Sequence, residues 1–198
     1  MDASEQAAEN FLQKLGLRVE RFSKDEMQRG KTPDFRAFKA DELVLYCEAK
    51  HVQRDEWLDE ALQKAQPGEL VGGLRESDPI FNRLTSHTHQ AVKQFDAVNP
   101  SQAYPNVLFF TNSDKACLYD DLISVLTGSF YSAGGAVDPI YKQYSEGRIK
   151  EEKSRIDLFV WWNDWITREP KPHFMNRSSH YLALCKLLNS DPASHRVL

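Results

Sequence analysis

The residues whose types and spacing could carry out chemistry lie in two short stretches, around Asp34 and from Glu48 to Lys50. Side chains alternate between faces along a strand, so Glu48 and Lys50 are expected to project to the same side. A tight turn predicted at residues 40–41 brings the strand that carries Asp34 back alongside. Two neighbouring carboxylates repel each other unless a cation lies between them, and oxygen ligands suit a hard divalent ion. The spacing therefore predicts a metal site with an amine beside it.

The elements that must position these residues follow from the periodicity of apolar side chains, which differs between strands and helices. The predicted order is helix, three strands, helix, strand, helix, strand, helix, which corresponds to an α/β domain with a mixed sheet. Residues 42–52 form a near-continuous apolar run, so we expect that strand to be central in the sheet. The predicted helices cover residues 4–15, 80–98, 116–126 and 178–188, and the predicted strands cover residues 17–22, 32–39, 42–52, 106–111 and 156–162.

Polar stretches and stretches rich in glycine and proline predict the connections. Residues 23–31 are expected to form a polar loop, and residues 66–79 a flexible loop that serves either as a lid or as a simple connector. Residues 132–135 are expected to act as a joint, and the charged run 146–155 to be a solvated surface. Prolines 170 and 172 are expected to interrupt the structure that precedes the last helix.

Length and composition predict one domain over residues 1–198, with a core at about 4–128 and a C-terminal extension, 129–198, that holds one strand and a closing helix. The three cysteines are widely spaced and suggest no disulfide framework, which favours a reducing cytoplasm. Neither a membrane-spanning run nor the features of a signal peptide are visible. The net charge of −4 and pI near 5.9 argue against unspecific coating of nucleic acid, without excluding a metal-dependent enzyme.

The pattern of a Pro-Asp pair, a hydrophobic strand and a closing Glu-x-Lys resembles the PD-(D/E)xK nuclease superfamily, over residues 4–112. The resemblance implies a restriction endonuclease-like three-layer core, with a central mixed sheet flanked by helices and related to that of Holliday junction resolvases. It implies that Asp34, Glu48 and the backbone carbonyl of Ala49 bind Mg²⁺, with Mn²⁺ as a substitute. Lys50 then orients or deprotonates the attacking water and stabilises the developing charge. Such enzymes leave a 5′-phosphate and a 3′-hydroxyl.

The resemblance also implies a glutamate on the first helix and polar residues on the helix at 80–98. Glu5 matches the first position better than Glu9, although an acid near a helix N-terminus is equally explained by the helix dipole. On the later helix, one polar stripe is expected to contact the active site or the DNA backbone, unless it is simply the solvated face. The residues of this stripe are Arg83, His87, Gln90 and Gln94.

The resulting expectation is a Mg²⁺-dependent endonuclease acting on DNA in defence, restriction or repair; RNA is not excluded. A homodimer or a protein partner is expected, because one small nuclease commonly needs two copies to cut two strands. The alternative is a non-catalytic scaffold or accessory subunit that keeps the nuclease fold. A third interpretation of the motif itself is a surface hairpin in which Glu48 and Lys50 form a weak ion pair. The aromatic cluster at 161–165 suggests either base stacking or packing in a core or interface.

Overall fold

The computed structural model describes residues 2–53, 57–71, 77–131, 137–139, 148–166, 169–175 and 178–194. In these ranges the helices are α1 (Ala3–Lys14), α2 (Lys24–Arg29), α3 (Trp57–Lys64), α4 (Ser77–Val98), α5 (Tyr119–Thr127) and α6 (Tyr181–Leu187). The strands are β1 (Arg18–Arg21), β2 (Phe35–Lys39), β3 (Glu42–Val52), β4 (Asn106–Asn112), β5 (Ser129–Tyr131), β6 (Val137–Pro139), β7 (Leu158–Asn163) and β8 (Lys171–Phe174). Short 3₁₀ turns cover Glu152–Arg155 and Pro192–Ser194.

A six-stranded mixed sheet with the order β1-β2-β3-β4-β7-β8 forms the centre of the molecule. The first three strands make an antiparallel meander, β3, β4 and β7 run parallel, and β8 returns antiparallel at the edge. One core cluster is covered by α4 and α5 and the other by α1 and α6; we call these sides the α4 face and the α1 face. The predicted α/β class, with a mixed sheet flanked by helices in three layers, is therefore confirmed.

The strand β3 has the predicted bounds and the predicted central position. It pairs with β2 on one side and β4 on the other. Its side chains divide between the two cores, since Tyr46 and Val52 lie on the α4 face whereas Leu45 and Cys47 lie on the α1 face. The near-continuous apolar run thus reflects burial on both sides.

The helix α1 also agrees with its prediction to within one residue at each end. Its start is stabilised by a capping box, in which the Asp2 side chain accepts the Glu5 N–H and Glu5 accepts the Asp2 N–H. Ala8 and Leu12 are buried against the sheet. Gly16 follows the helix with a φ of 77°, a conformation that favours glycine.

The predicted polar loop at 23–31 is wrong, because six of its residues form α2. A second capping box holds this helix, with Ser23 and Glu26 bonding each other's backbone N–H groups. The helix buries no residue, so no apolar periodicity announces it in the sequence. The strand predicted at 32–39 begins three residues later, so Asp34 directly precedes β2 instead of lying within it.

The C-terminal region holds more structure than the single strand predicted for it. It supplies β5, β6, β7 and β8, and β7 lies inside the sheet beside β4. The predicted interruption at Pro170 and Pro172 is wrong for Pro172, which lies in the edge strand β8 opposite Val160. An edge strand tolerates proline because one side of its backbone needs no partner. The predicted joint at 132–135 and parts of the predicted connections (72–76 and 146–147) lie outside the described residues.

Within the described ranges, no helix combines the length and the apolar character that crossing a membrane requires.

Candidate active site

The predicted hairpin brings Asp34 and Glu48 together through reciprocal contacts with the backbone. The Asp34 N–H donates to Glu48 Oε2 at 3.0 Å, and the Ala49 N–H donates to Asp34 Oδ2 at 2.8 Å. These contacts follow from the antiparallel register, in which Phe35 lies opposite Cys47. Each carboxylate is therefore fixed by the main chain of the neighbouring strand.

Lys50 completes the group from the same strand as Glu48. Its Nζ lies 2.6 Å from Glu48 Oε1 and 3.4 Å from Gln94 Oε1. Gln94 reaches this position from α4, and its amide donates to the Thr32 carbonyl at 3.0 Å. We call Asp34, Glu48, Lys50 and Gln94 the acid–lysine cluster.

Glu48 is buried, and the other three members of the acid–lysine cluster are half-buried. The side chain of Glu48 is 2% exposed and that of Lys50 is 15% exposed. Both project to the α4 face, as the alternation with Tyr46 and Val52 requires. The interpretation as a surface hairpin with a weak ion pair is therefore wrong, because the pair is buried on a central strand.

Burial and mutual repulsion shift both carboxyl groups toward their protonated forms. Burial is the largest cause that raises the pKa of Glu48 to about 8; the Asp34 carboxylate raises it further and the Lys50 amine opposes this. Burial also raises the pKa of Asp34, with the Ala49 N–H opposing it and Glu5 adding to it. One amine thus faces one buried and one half-buried acid, and these two carboxylates could hold an additional cation.

The number of carboxylates at this site is the number with which proteins commonly hold Mg²⁺, an ion that keeps several of its waters. Asp34 and Glu48 supply two carboxylates, and Mg²⁺ is commonly bound by one or two carboxylates while it keeps several waters. No group of three His, Cys, Asp or Glu side chains with the geometry of a metal site occurs among the described residues. The carbonyl of Ala49 as a further ligand stays a prediction.

The two candidate glutamates of α1 differ in their relation to this site. Glu5 acts electrostatically on Asp34 and raises its pKa, and it forms an ion pair with Arg21. Glu9 accepts a hydrogen bond from Gln13 at 3.1 Å, a contact within the helix. The preference for Glu5 therefore has a physical basis, although Glu5 also serves the capping box of α1.

The polar stripe of α4 divides into residues with different surroundings. Gln94 belongs to the acid–lysine cluster, and half-buried His87 has a pKa lowered to about 4 by burial and then by the Lys50 and Arg83 cations. Arg83 instead pairs with Asp114 at 2.5 Å and donates to the Gln53 carbonyl. Gln90 is exposed and lies 3.5 Å from Ser86. A role in nucleic-acid binding stays a prediction for all four.

A chain of polar contacts on the α1 face was not predicted. His51 Nε2 lies 2.6 Å from Ser113 Oγ, and the Ser113 hydroxyl donates to Asp164. The three residues stand at or just beyond the carboxyl ends of β3, β4 and β7, where open α/β sheets commonly bind ligands. Polar residues directly after three strands were the available signal, but their meeting depends on the parallel order of the strands.

Comparison with known proteins gives no relative from which a role could be transferred. No protein-family model, curated protein or solved structure matches the chain.

Proposed function

We propose that this protein is a Mg²⁺-dependent endonuclease that hydrolyses phosphodiester bonds in DNA, of the PD-(D/E)xK type. The observation that carries the proposal is the convergence of Asp34, Glu48 and Lys50, two acids and one amine, in one cluster around the buried Glu48. A carboxyl pKa raised to about 8, as at Glu48, together with specific charged partners is typical of functional sites.

In this proposal Asp34 and Glu48 bind Mg²⁺ or Mn²⁺, and the Ala49 carbonyl is the third protein ligand. When bound, the ion supplies Lewis-acid polarisation of the scissile phosphate and lowers the pKa of a coordinated water. The backbone contacts to Asp34 and Ala49 hold the acids in place before substrate arrives. Such preorganisation avoids the cost of arranging the ligands during the reaction.

Lys50 acts on the water and on the charge that develops at phosphorus. Its amine already lies against Glu48, so a small movement suffices to exchange that contact for a phosphate oxygen. Gln94 holds the amine through Oε1 and is itself held by the Thr32 carbonyl. Gln94 is therefore a positioning residue for Lys50, and Glu5 acts on the site through its charge at Asp34.

The alternative function is a scaffold or accessory subunit that retains the fold without cleavage. The observation in its favour is that Lys50, Glu48 and Gln94 satisfy one another in a closed set of contacts. The acidic balance of the chain points the same way, since phosphate contacts dominate the affinity for DNA. Against it stands the cost of placing a second, half-buried carboxylate beside the buried Glu48, which structure alone does not require.

The proposal extends to the cellular location, the biological role and the assembly of the enzyme. We place it in the cytoplasm because the three cysteines are buried and none of them forms a disulfide in the described part of the chain. Defence, restriction or repair of DNA is the corresponding role, and RNA is the alternative substrate. A homodimer or a partner protein supplies the second active site that a double-strand cut requires.

The decisive experiment is a cleavage screen on plasmid and oligonucleotide DNA and on RNA with Mg²⁺, Mn²⁺ or EDTA. We expect metal-dependent cuts that leave 5′-phosphates, and loss of cleavage in Asp34→Ala and Lys50→Ala. Lys93→Ala and Asp41→Ala are matched controls because both side chains are exposed, one on α4 and one in the β2–β3 turn. Equal cleavage by wild type and Lys50→Ala would contradict the proposed role of the acid–lysine cluster, and no cleavage by a folded wild type on any substrate would favour the scaffold.

A further inference from the structure

A groove on the α1 face lies between α1 and the segment that follows β7. Its volume is about 670 Å³, within the range of ligand-binding pockets. Phe11, Phe109 and Trp162 form its apolar walls, and the rings of the first two lie 5.5 Å apart. Trp162 is half-buried here, whereas its neighbour Trp161 is buried in the core of the α4 face. The aromatic cluster of the sequence thus divides between a core and a groove.

The rim of the groove carries amides and carboxylates. Asn10 and Gln13 come from α1, and Asp164 lies on the opposite side. Lys14 and Glu169 lie 3.7 Å apart, so their charges offset each other and the carboxylate of Asp164 leaves the rim with one net negative charge. A phosphate group is repelled by such a rim, whereas N–H donors on a flat ring find acceptors there.

Contacts at the carboxyl ends of the strands connect the groove to the proposed active site. His51 follows Lys50 directly and projects to the opposite face, where it contacts Ser113. Ser113 donates to Asp164, which lines the groove. Thr111 lies in register between His51 and Trp162, and its buried hydroxyl has no hydrogen-bond partner in the part of the chain that the structure describes. Thr111 itself does not line the groove, so this row of residues meets the groove at Trp162 and Asp164.

We propose that this groove, on the face of the sheet opposite the acid–lysine cluster, accepts an unpaired base of the bound DNA, an inference that rests on the proposed function. The half-buried rings of Phe11 and Trp162 offer stacking surfaces, and the ring faces of a base are accessible only after it leaves the duplex stack. The amides and the Asp164 carboxylate can bond the edge of the base. The phosphates remain outside the groove because the rim repels them.

The test measures binding without cleavage. A short end-labelled single strand and an abasic strand of the same length are titrated with protein in EDTA, and fluorescence anisotropy is recorded. We expect wild type to prefer the strand with bases, and Trp162→Ala to bind that strand about tenfold more weakly with little change for the abasic strand. Trp162→Phe keeps a stacking surface and should stay within about twofold of wild type.

Two further variants keep the result interpretable. Trp165→Ala removes a half-buried tryptophan that does not line the groove and should bind as wild type does. Asn10→Trp changes an exposed rim residue and should obstruct the groove without removing core volume, with an effect like that of Trp162→Ala. No preference of wild type for bases, or a preference that persists in both groove variants, overturns the inference. If the groove inference fails in this way but wild type cleaves DNA, the proposed nuclease function is unaffected. A base preference without cleavage supports the groove inference and not the proposed nuclease function.

Discussion

Two acidic side chains of this protein, Glu48 and Asp157, are equally buried at 2% exposure but have different surroundings. Asp157 accepts the Asn106 N–H at 2.7 Å and the Ser178 hydroxyl. The Gln102 amide also donates to it, so the donors that reach its carboxylate among the described residues are neutral. Glu48 instead faces a second carboxylate and an amine, and its pKa is raised to about 8.

The position of each acid in the sheet agrees with its surroundings. Asp157 precedes β7 and binds the first residue of β4, so it ties the amino ends of two parallel strands together. Glu48 lies in the second half of β3, toward the carboxyl ends where ligands bind in such sheets. Burial alone therefore does not identify a functional acid. The buried acid with a like-charged neighbour that raises its pKa is the one for which we propose a catalytic role.

The difference between the two acids is tested most directly by the same substitution, acid to amide, at both sites. Glu48→Gln removes a proposed metal ligand and should lower metal-dependent cleavage roughly 10³-fold. Asp157→Asn should leave the rate per folded molecule within about twofold, because it does not touch the cluster. Both rates are measured on plasmid DNA with folded protein quantified beforehand. Similar losses in the two variants would contradict the division between a catalytic and a structural acid.

The free energy of unfolding should change in the opposite order, with the larger loss in Asp157→Asn. Asp157→Asn places an amide N–H₂ against buried donors and should cost about 2 kcal/mol in the free energy of unfolding. Glu48→Gln replaces a carboxyl whose charged form is disfavoured by burial with its neutral isostere, so in EDTA we expect stability equal to or above that of wild type. Urea unfolding followed by circular dichroism measures both. A large loss of stability in Glu48→Gln would mean that its pairing with Lys50 is mainly structural.

The two glutamates of α1 provide a smaller contrast of the same kind. Glu5 acts on the pKa of Asp34, whereas Glu9 contacts Gln13 within the helix. We expect Glu5→Gln to lower cleavage roughly tenfold and Glu9→Gln to leave it unchanged, since only the first alters charge at the site. Single-turnover rates at saturating Mg²⁺ make the comparison. A loss in Glu9→Gln alone would reverse the assignment.

The parts of the site that could be predicted from the sequence depend on local geometry. A short turn, the alternation of side chains and the apolar run of β3 are sufficient to bring Asp34, Glu48 and Lys50 together. The parts that could not be predicted depend on how distant elements meet. The rotation of α4 against the sheet selects Gln94 from its polar stripe, and the parallel register of three strands brings His51 to Ser113.

The missing elements of the fold have similar explanations. The edge position of β8 makes Pro172 acceptable, but that position is known only once the order of the sheet is known. The helix α2 depends on its capping box and buries nothing, so its sequence has the composition of a loop. The sequence pattern therefore missed elements that depend on local hydrogen bonds, as α2 does, or on the order of strands in the sheet, as β8 does.

The smallest expected effect is a dependence of stability on pH that Glu48→Gln removes and Asp157→Asn leaves in place. The pKa of Glu48 is raised from 4.5 to about 8 on folding, so the folded protein binds a proton that the unfolded chain releases. Stability in EDTA should therefore fall as pH rises toward 8, by a few degrees in Tm between pH about 6.5 and 8. This window avoids His87, whose pKa lowered from 6.5 to about 4 gives the opposite slope of stability against pH in more acidic solution.

Thermal unfolding measures this dependence. The fall in Tm should be absent in Glu48→Gln and retained in Asp157→Asn, because only the first substitution removes the Glu48 carboxyl. Mg²⁺ should reduce the fall in wild type, since a bound cation replaces the proton. A Tm that does not differ in pH slope between wild type and Glu48→Gln would show that Lys50 already neutralises Glu48, and the case for an additional cation at this site would fail.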